Sequence, residues 1–232
     1  MTTRIILTQR DFDLFDDISR FGFTTTEHYV LKFGLSYSQA CRRFHLLVRN
    51  KYLKVLGKSK ATNRLFYVPS FNFHRIYSSK YLYKLNPNLL IHDEYILKLY
   101  SILYFQKWGE WFEVEQDFKK RDDHKDMLRV PDLVVHNSKG NYIFEYERTV
   151  KNEDLYARIS AAYENLDESQ NYFVFICESQ KLAQKIKEKM RFRYMAIVNP
   201  KELLESLVNQ KYELLAHHFR NEKVNYFYGK GF

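Results

Sequence analysis

Two apolar runs that meet at a single turn constrain this chain more than any other feature. Residues 131–136 and 141–148 read as strands, and Asn137-Ser138-Lys139-Gly140 between them is turn chemistry. A two-residue loop would pair Asn137 with Gly140, and a four-residue loop would pair His136 with Asn141. Both give one register, in which Asp132 lies opposite Glu145. Directly opposed antiparallel residues share a sheet face, with Cβ atoms about 4.5–5.5 Å apart. Alternation puts Glu147 and Ile143 on that face as well. Opposed like charges destabilise a sheet, and a divalent cation resolves the conflict, because Mg²⁺ is held by one or two carboxylates plus water and phosphate oxygens. The alternative is a one-residue slip or a bulge that sends one carboxylate to the other face and leaves the rest as surface ion pairs.

The elements around the hairpin alternate. A long helix over 92–108 turns Ile96, Leu99, Tyr100 and Leu103 inward, and a strand over 111–116 and a charged loop (119–129) follow it. After the hairpin come a helix (152–166), a strand (172–177), a helix (180–190), a strand (194–198) and a helix opened by Pro200. This order predicts an α/β sandwich with a mixed sheet over residues 90–208. No phosphate-binding glycine loop and no dinucleotide fingerprint is present, so a nucleotide cofactor is not expected. Residues 209–232 form an aromatic, basic tail without a clear assignment. His217-His218 does not make a metal pair, because adjacent side chains diverge in either regular structure.

The first 68 residues follow a different plan. Three capping boxes, Thr8-x-x-Asp11, Thr24-x-x-Glu27 and Ser36-x-x-Gln39, start three short helices. The third buries Ala40, Phe44, Leu47 and Val48 and offers Gln39, Arg42, Arg43 and Arg49 on its other faces. A strand at 54–56, a basic loop with Lys58 and Lys60, and a strand at 64–68 follow. Three helices and a two-stranded wing predict a winged helix-turn-helix, with the third helix in the major groove and the wing on the backbone. Arg42, Arg43 and Arg49 would then meet phosphates or guanine edges, and Lys58 and Lys60 phosphates. Residues 69–89 read as a connector.

Charge supports a polyanionic partner. Residues 1–89 hold 15 Lys and Arg against 5 Asp and Glu, whereas the remainder holds 22 against 23. The net +9 of the chain is therefore carried by its N-terminal part. A basic surface that serves solubility is the plain alternative. No apolar run reaches the length of a membrane span, and Met1-Thr2-Thr3-Arg4 lacks the apolar core of a signal peptide. Cys41 and Cys177 lie far apart in apolar patterns and read as free buried thiols of a reducing compartment. The expectation is a cytoplasmic α+β protein of two domains.

The run Arg129-Val130-Pro131-Asp132-Leu133-Val134-Val135, followed by Phe144-Glu145-Tyr146-Glu147-Arg148-Thr149-Val150-Lys151, resembles the Pro-Asp…(Asp/Glu)-x-Lys nuclease core of restriction endonucleases. More narrowly, it resembles the MOB-C class of plasmid relaxases and the related replication-relaxation family, whose members also carry an N-terminal winged helix. The resemblance spans roughly residues 5 to 200, and its specific part is about a dozen residues. It implies a restriction-endonuclease-like domain that uses Mg²⁺ or Mn²⁺ to nick one strand of double-stranded DNA at a transfer origin, together with relaxosome proteins and a coupling protein. By matching positions, Asp132 and Glu145 would be metal ligands and Glu147 a further ligand or water-orienting base. The family's His-Asp pair falls on His92-Asp93, and Glu94 is a further acidic candidate; the plain reading of these residues is the first turn of a helix. The chain departs from the signature in having Glu147 where the core has lysine. Lys151 at the start of the next helix is the favoured replacement, with Arg158 two turns on as a phosphate clamp. Arg148 would point to the opposite face. A tyrosine nucleophile would most simply be Tyr156 or Tyr163. The rival functions are a DNA-binding relaxosome accessory or replication regulator with an inactive core, and a restriction-type endonuclease.

Overall fold

The computed structural model describes residues 5–58, 65–77, 86, 88–121, 130–151, 153–163, 170–190, 192, 194–209 and 226–227. The chain is a mixed α and β protein that divides into two compact units, 1–106 and 107–232. Among the described residues no helix is long and apolar enough to cross a membrane.

The first unit starts with α1 (Gln9–Phe21), β1 (Thr24–Thr25), α2 (Thr26–Phe33) and α3 (Tyr37–Arg49). The capping boxes at Thr8 and Ser36 form as expected. The second helix starts one residue late. Thr24 pairs with Tyr67 in the sheet, so Thr25 becomes the N-cap and accepts from the His28 N–H at 3.1 Å. The strands β2 (Leu53–Lys58) and β3 (Leu65–Pro69) pair antiparallel, with a bulge between Val55 and Gly57, in the order β1-β3-β2. Leu14, Phe15, Ile18, Tyr29, Ala40, Phe44 and Leu47 form the core. The connector is partly structured: α4 (Phe71–His74) buries Phe73 against Phe15.

The long helix α5 (Leu90–Phe105) packs against α2 and belongs to the first unit, whereas the sequence reading opened the second domain at residue 90. The physical reason is a buried polar network. Tyr100 donates to Asp17 at 2.9 Å, Lys32 Nζ lies 2.5 Å from Asp17 Oδ2, and His28 Nε2 lies 3.0 Å from the same oxygen. Lys98 meets Glu27 at 3.1 Å, and a Cβ on Gly34 (φ 62°) would collide with Phe105. The first unit, so bounded, has 16 Lys and Arg against 7 Asp and Glu, so the positive excess stays with it.

The second unit is built on one sheet, β4-β5-β6-β7-β8-β9. β4 (Trp111–Val114), β5 (Leu133–Asn137) and β6 (Gly140–Glu147) form an antiparallel meander. β7 (Asn171–Cys177), β8 (Met195–Val198) and β9 (Tyr226–Phe227) continue parallel to β6. The predicted strand at 111–116 stops early, because Asp117 caps the Val114 N–H at 3.0 Å and starts α6 (Glu115–Lys119). α7 (Glu153–Tyr163), α8 (Gln180–Lys189) and α9 (Pro200–Val208) complete the described elements. Tyr156, Ile159 and Tyr163 of α7 and Leu182, Ala183 and Ile186 of α8 share one core with Val134, Ile143, Phe173, Phe175 and Met195. The alternate positions, among them Leu133, Val135, Phe144, Val174 and Val198, are buried as well, as expected for strands covered on both faces.

Candidate functional site

The hairpin closes as Asn137↔Gly140, a two-residue loop, and the ladder runs through His136↔Asn141 and Val134↔Ile143 to Leu133↔Phe144. Gly140 makes this turn possible: its φ is 133°, and a Cβ there would lie 2.6 Å from the Gln170 carbonyl oxygen. The paired ladder ends at Leu133↔Phe144: Asp132 stands just before β5, its carboxylate on the Tyr146 N–H, and Glu145 lies on the α7–α8 side of the sheet, opposite Phe175 of β7. Glu147 follows on the same side, beside Cys177 of β7. The chain therefore has the expected register, without a slip or bulge between residues 133 and 144.

All three carboxylates are buried: Asp132 is 9% exposed, Glu145 1% and Glu147 2%. A buried carboxylate costs several kcal/mol unless it is partnered, on the order of 3–5 when a partner is lost. Each one has such a partner. Asp132 accepts from the Tyr146 backbone N–H at 2.7 Å. Glu145 accepts from the Tyr163 hydroxyl, and Glu147 is ion-paired with Lys151. Lys151 thus supplies positive charge at the position favoured from the sequence. β6 ends at Glu147, leaving Arg148 exposed with its Nε 3.9 Å from Glu178. Arg158 is exposed on α7.

The donor chemistry fits a hard cation, since Mg²⁺ takes carboxylate oxygens and needs only one or two of them. Among the described residues, however, no group of three or more His, Cys, Asp or Glu side chains is gathered as a metal would require. The expected set of three ligands is not assembled, and the internal partners of Glu145 and Glu147 draw those side chains toward α7 and Lys151.

The tyrosines near the site are buried. Tyr156 is 1% exposed, and its hydroxyl accepts from the Lys151 N–H at 3.2 Å; burial raises its pKa. Burial, and next the charge of Glu147, push the Cys177 thiol up, so it stays protonated. The sequence reading passed over Glu113. It lies opposite Val134, on the same face, with its carboxylate ion-paired to Arg121 and 2.7 Å from His136 Nε2. Trp111 stacks on His136 at 3.7 Å. Strand alternation from Val134 would have placed Glu113 on this face, had the β4 register been deduced.

In the first unit, Arg42 and Arg49 are exposed on α3, and Lys58 is exposed at the end of β2. Lys60 lies outside the described residues. Arg43 is tied into the fold: its half-buried guanidinium is ion-paired with the fully buried Asp11 and donates to the Ile6 carbonyl at 2.8 Å. Gln39 is exposed, but its side chain closes the Ser36 capping box. Cys41, expected to be buried, is exposed on α3, whereas Cys177 is buried. His92 Nδ1 lies 3.1 Å from Asp93, and both belong with Glu94 to the first unit.

No protein-family profile matches the chain, and no curated protein or solved structure does either.

Proposed function

We propose that the chain is a DNA-docking, metal-dependent endonuclease that nicks one strand of a duplex. The first unit is read as a winged helix-turn-helix and the second as a restriction-endonuclease-like domain. One observation carries the reading: the hairpin register, whose last pair is Leu133↔Phe144, leaves Asp132 just before β5 and Glu145 and Glu147 at the end of β6, with Glu147 ion-paired to Lys151. The order β4-α6-β5-β6-α7-β7 supports the second assignment, and the order α1-β1-α2-α3 followed by the β2–β3 hairpin supports the first.

On this reading Asp132 and Glu145 hold Mg²⁺ or Mn²⁺, which when bound supplies a Lewis acid and a water of lowered pKa. Glu147 would add a ligand or orient a water, and Lys151 would stabilise charge on the scissile phosphate. Arg42, Arg49 and Lys58 hold the duplex through phosphates and base edges. A plasmid transfer origin is the substrate class that the relaxase resemblance suggests, and relaxosome proteins are the corresponding partners.

A second reading has its own support. The buried carboxylates already have partners, and no three-ligand group forms among the described residues. Both fit a DNA-binding regulator whose core does no chemistry. Incubation with supercoiled plasmid and Mg²⁺ or Mn²⁺ separates the two: a nickase produces open circles, and a binding module shifts the plasmid without cutting it.

A further inference from the structure

Helix α3 buries Ala40, Phe44 and Leu47 on its inner side. Ser38, Arg42, His45 and Arg49 follow one another at intervals of 4, 3 and 4 residues, which sets them in one row on the outer side of a helix with 3.6 residues per turn. All four are exposed. The fold uses their neighbours for itself: Arg43 is ion-paired with Asp11, and Gln39 closes the capping box with Ser36. A solvated helix face commonly mixes both signs of charge, but α3 holds no Asp or Glu from Tyr37 to Arg49. β2, which packs against α3, has none either and exposes Lys54 and Lys58. An acid-free surface on a unit with excess positive charge fits a polyanion. The row is about 16 Å long, and the major groove of B-form DNA, about 12 Å wide, admits a helix.

The row holds two kinds of side chain. Arg42 and Arg49 are long and always charged, and they can reach phosphates at the walls of a groove. Ser38 and His45 are short, so only groups directly beneath the helix lie within their reach. A hydroxyl and a neutral imidazole each offer both a donor and an acceptor, which suits the mixed pattern of base edges better than the acceptor-only phosphates. We infer that Ser38 and His45 are base-reading residues, alternating on α3 with the phosphate-holding Arg42 and Arg49, and that this row sets which duplex sequence the protein prefers. The inference rests on the DNA-docking reading above and is independent of the metal site.

A pool of random-sequence DNA duplexes serves as the probe, with divalent cations chelated so that no strand is cut. The full chain selects its preferred sites from the pool as wild type, Ser38→Ala, His45→Ala and Arg49→Ala, each checked for folding by circular dichroism. Affinity for the site selected by the wild type is then measured across a range of salt concentrations. The wild type is expected to select a defined site. Ser38→Ala and His45→Ala should each lose about fivefold to hundredfold of discrimination at a base pair of that site. Arg49→Ala should keep the same preferred bases and lower the slope of log affinity against log salt by about 1. Double-stranded RNA should compete poorly, because side chains cannot read its deep, narrow major groove. A Ser38→Ala or His45→Ala chain that selects the wild-type site with undiminished discrimination overturns the role of that residue and leaves DNA docking standing. A wild type that binds duplex DNA without preference, or binds duplex RNA equally well, overturns the whole inference. A wild type that binds no duplex overturns the docking reading itself.

Discussion

The carboxylate of Asp132 accepts a hydrogen bond from the backbone N–H of Tyr146 at 2.7 Å. The paired ladder of the hairpin ends at Leu133↔Phe144, two residues short of Tyr146, so this N–H is met by a side chain and not by a ladder carbonyl. The side chain of Asp132 takes over at the point where β5 begins, and it holds that end of the chain beside Glu145. One residue thus has two separable duties, a backbone contact and a negative charge.

Asp132→Asn should separate these duties. An amide oxygen can still accept from Tyr146, so stability measured by denaturant unfolding should change by less than about 1 kcal/mol. Asp132→Ala leaves a buried N–H without that acceptor and should cost about 1–3 kcal/mol. Both variants should lose divalent-ion binding. A loss of stability as large in Asp132→Asn as in Asp132→Ala would contradict the division.

Gly140 sets the register on which the site depends. Gly140→Ala places a Cβ against the Gln170 carbonyl at a φ of 133° that non-glycine residues rarely adopt. Denaturant unfolding should show a loss of roughly 1–3 kcal/mol. An unchanged midpoint would mean that the turn tolerates a side chain and does not fix the pairing.

Arg42 and Arg43 are neighbours in sequence with opposite roles. Arg43→Ala strips the buried Asp11 of its ion pair and should destabilise the fold by about 2–4 kcal/mol. Arg42→Ala, on the exposed face of α3, should leave thermal stability nearly unchanged, while weakening duplex binding and lowering the slope of log affinity against log salt by about 1. Equal effects of the two substitutions on both measurements would refute the assignment.

The periodicity of apolar residues marked Ala40, Phe44, Leu47 and Val48 as the buried stripe of α3, of which the first three are buried and Val48 partly so, and turn chemistry was enough for the hairpin register. Both signals are local, and both survive in the fold. What could not be read depended on partners distant in the chain. Arg43 and Asp11 are 32 residues apart, and nothing in the helix pattern distinguishes Arg43 from Arg42. The attachment of α5 to the first unit depends on Asp17, His28, Lys32 and Tyr100, polar residues that a hydrophobic pattern leaves unassigned. At the site itself, the shared face of Glu145 and Glu147 followed from alternation, whereas the Tyr146 N–H on Asp132 and the Tyr163 contact required knowing where β5 begins and how α7 folds back over β6.

The network in the first unit predicts acid sensitivity. Burial first of all lowers the pKa of His28, so the unfolded chain takes up its proton at a higher pH than the folded one. Stability present above the ordinary histidine value should therefore fall as pH drops below about 6.5. For Asp17 burial acts upward, but the His28 hydrogen bond and the Lys32 charge outweigh it and lower its pKa, which adds a further loss at lower pH. Melting temperatures across this range should fall for the wild type and less steeply for His28→Gln. Parallel curves would exclude His28 as the source.

Cleavage of supercoiled plasmid by the full chain tests the central claim most directly. With Mg²⁺ or Mn²⁺ the wild type should convert closed circles to open circles, chelation should stop the reaction, and Asp132→Asn should reduce the rate at least about a hundredfold, in line with the loss of a group that stabilises the transition state. Nicking that persists undiminished in folded Asp132→Asn, or a wild type that binds the plasmid and never cuts it, would contradict the account.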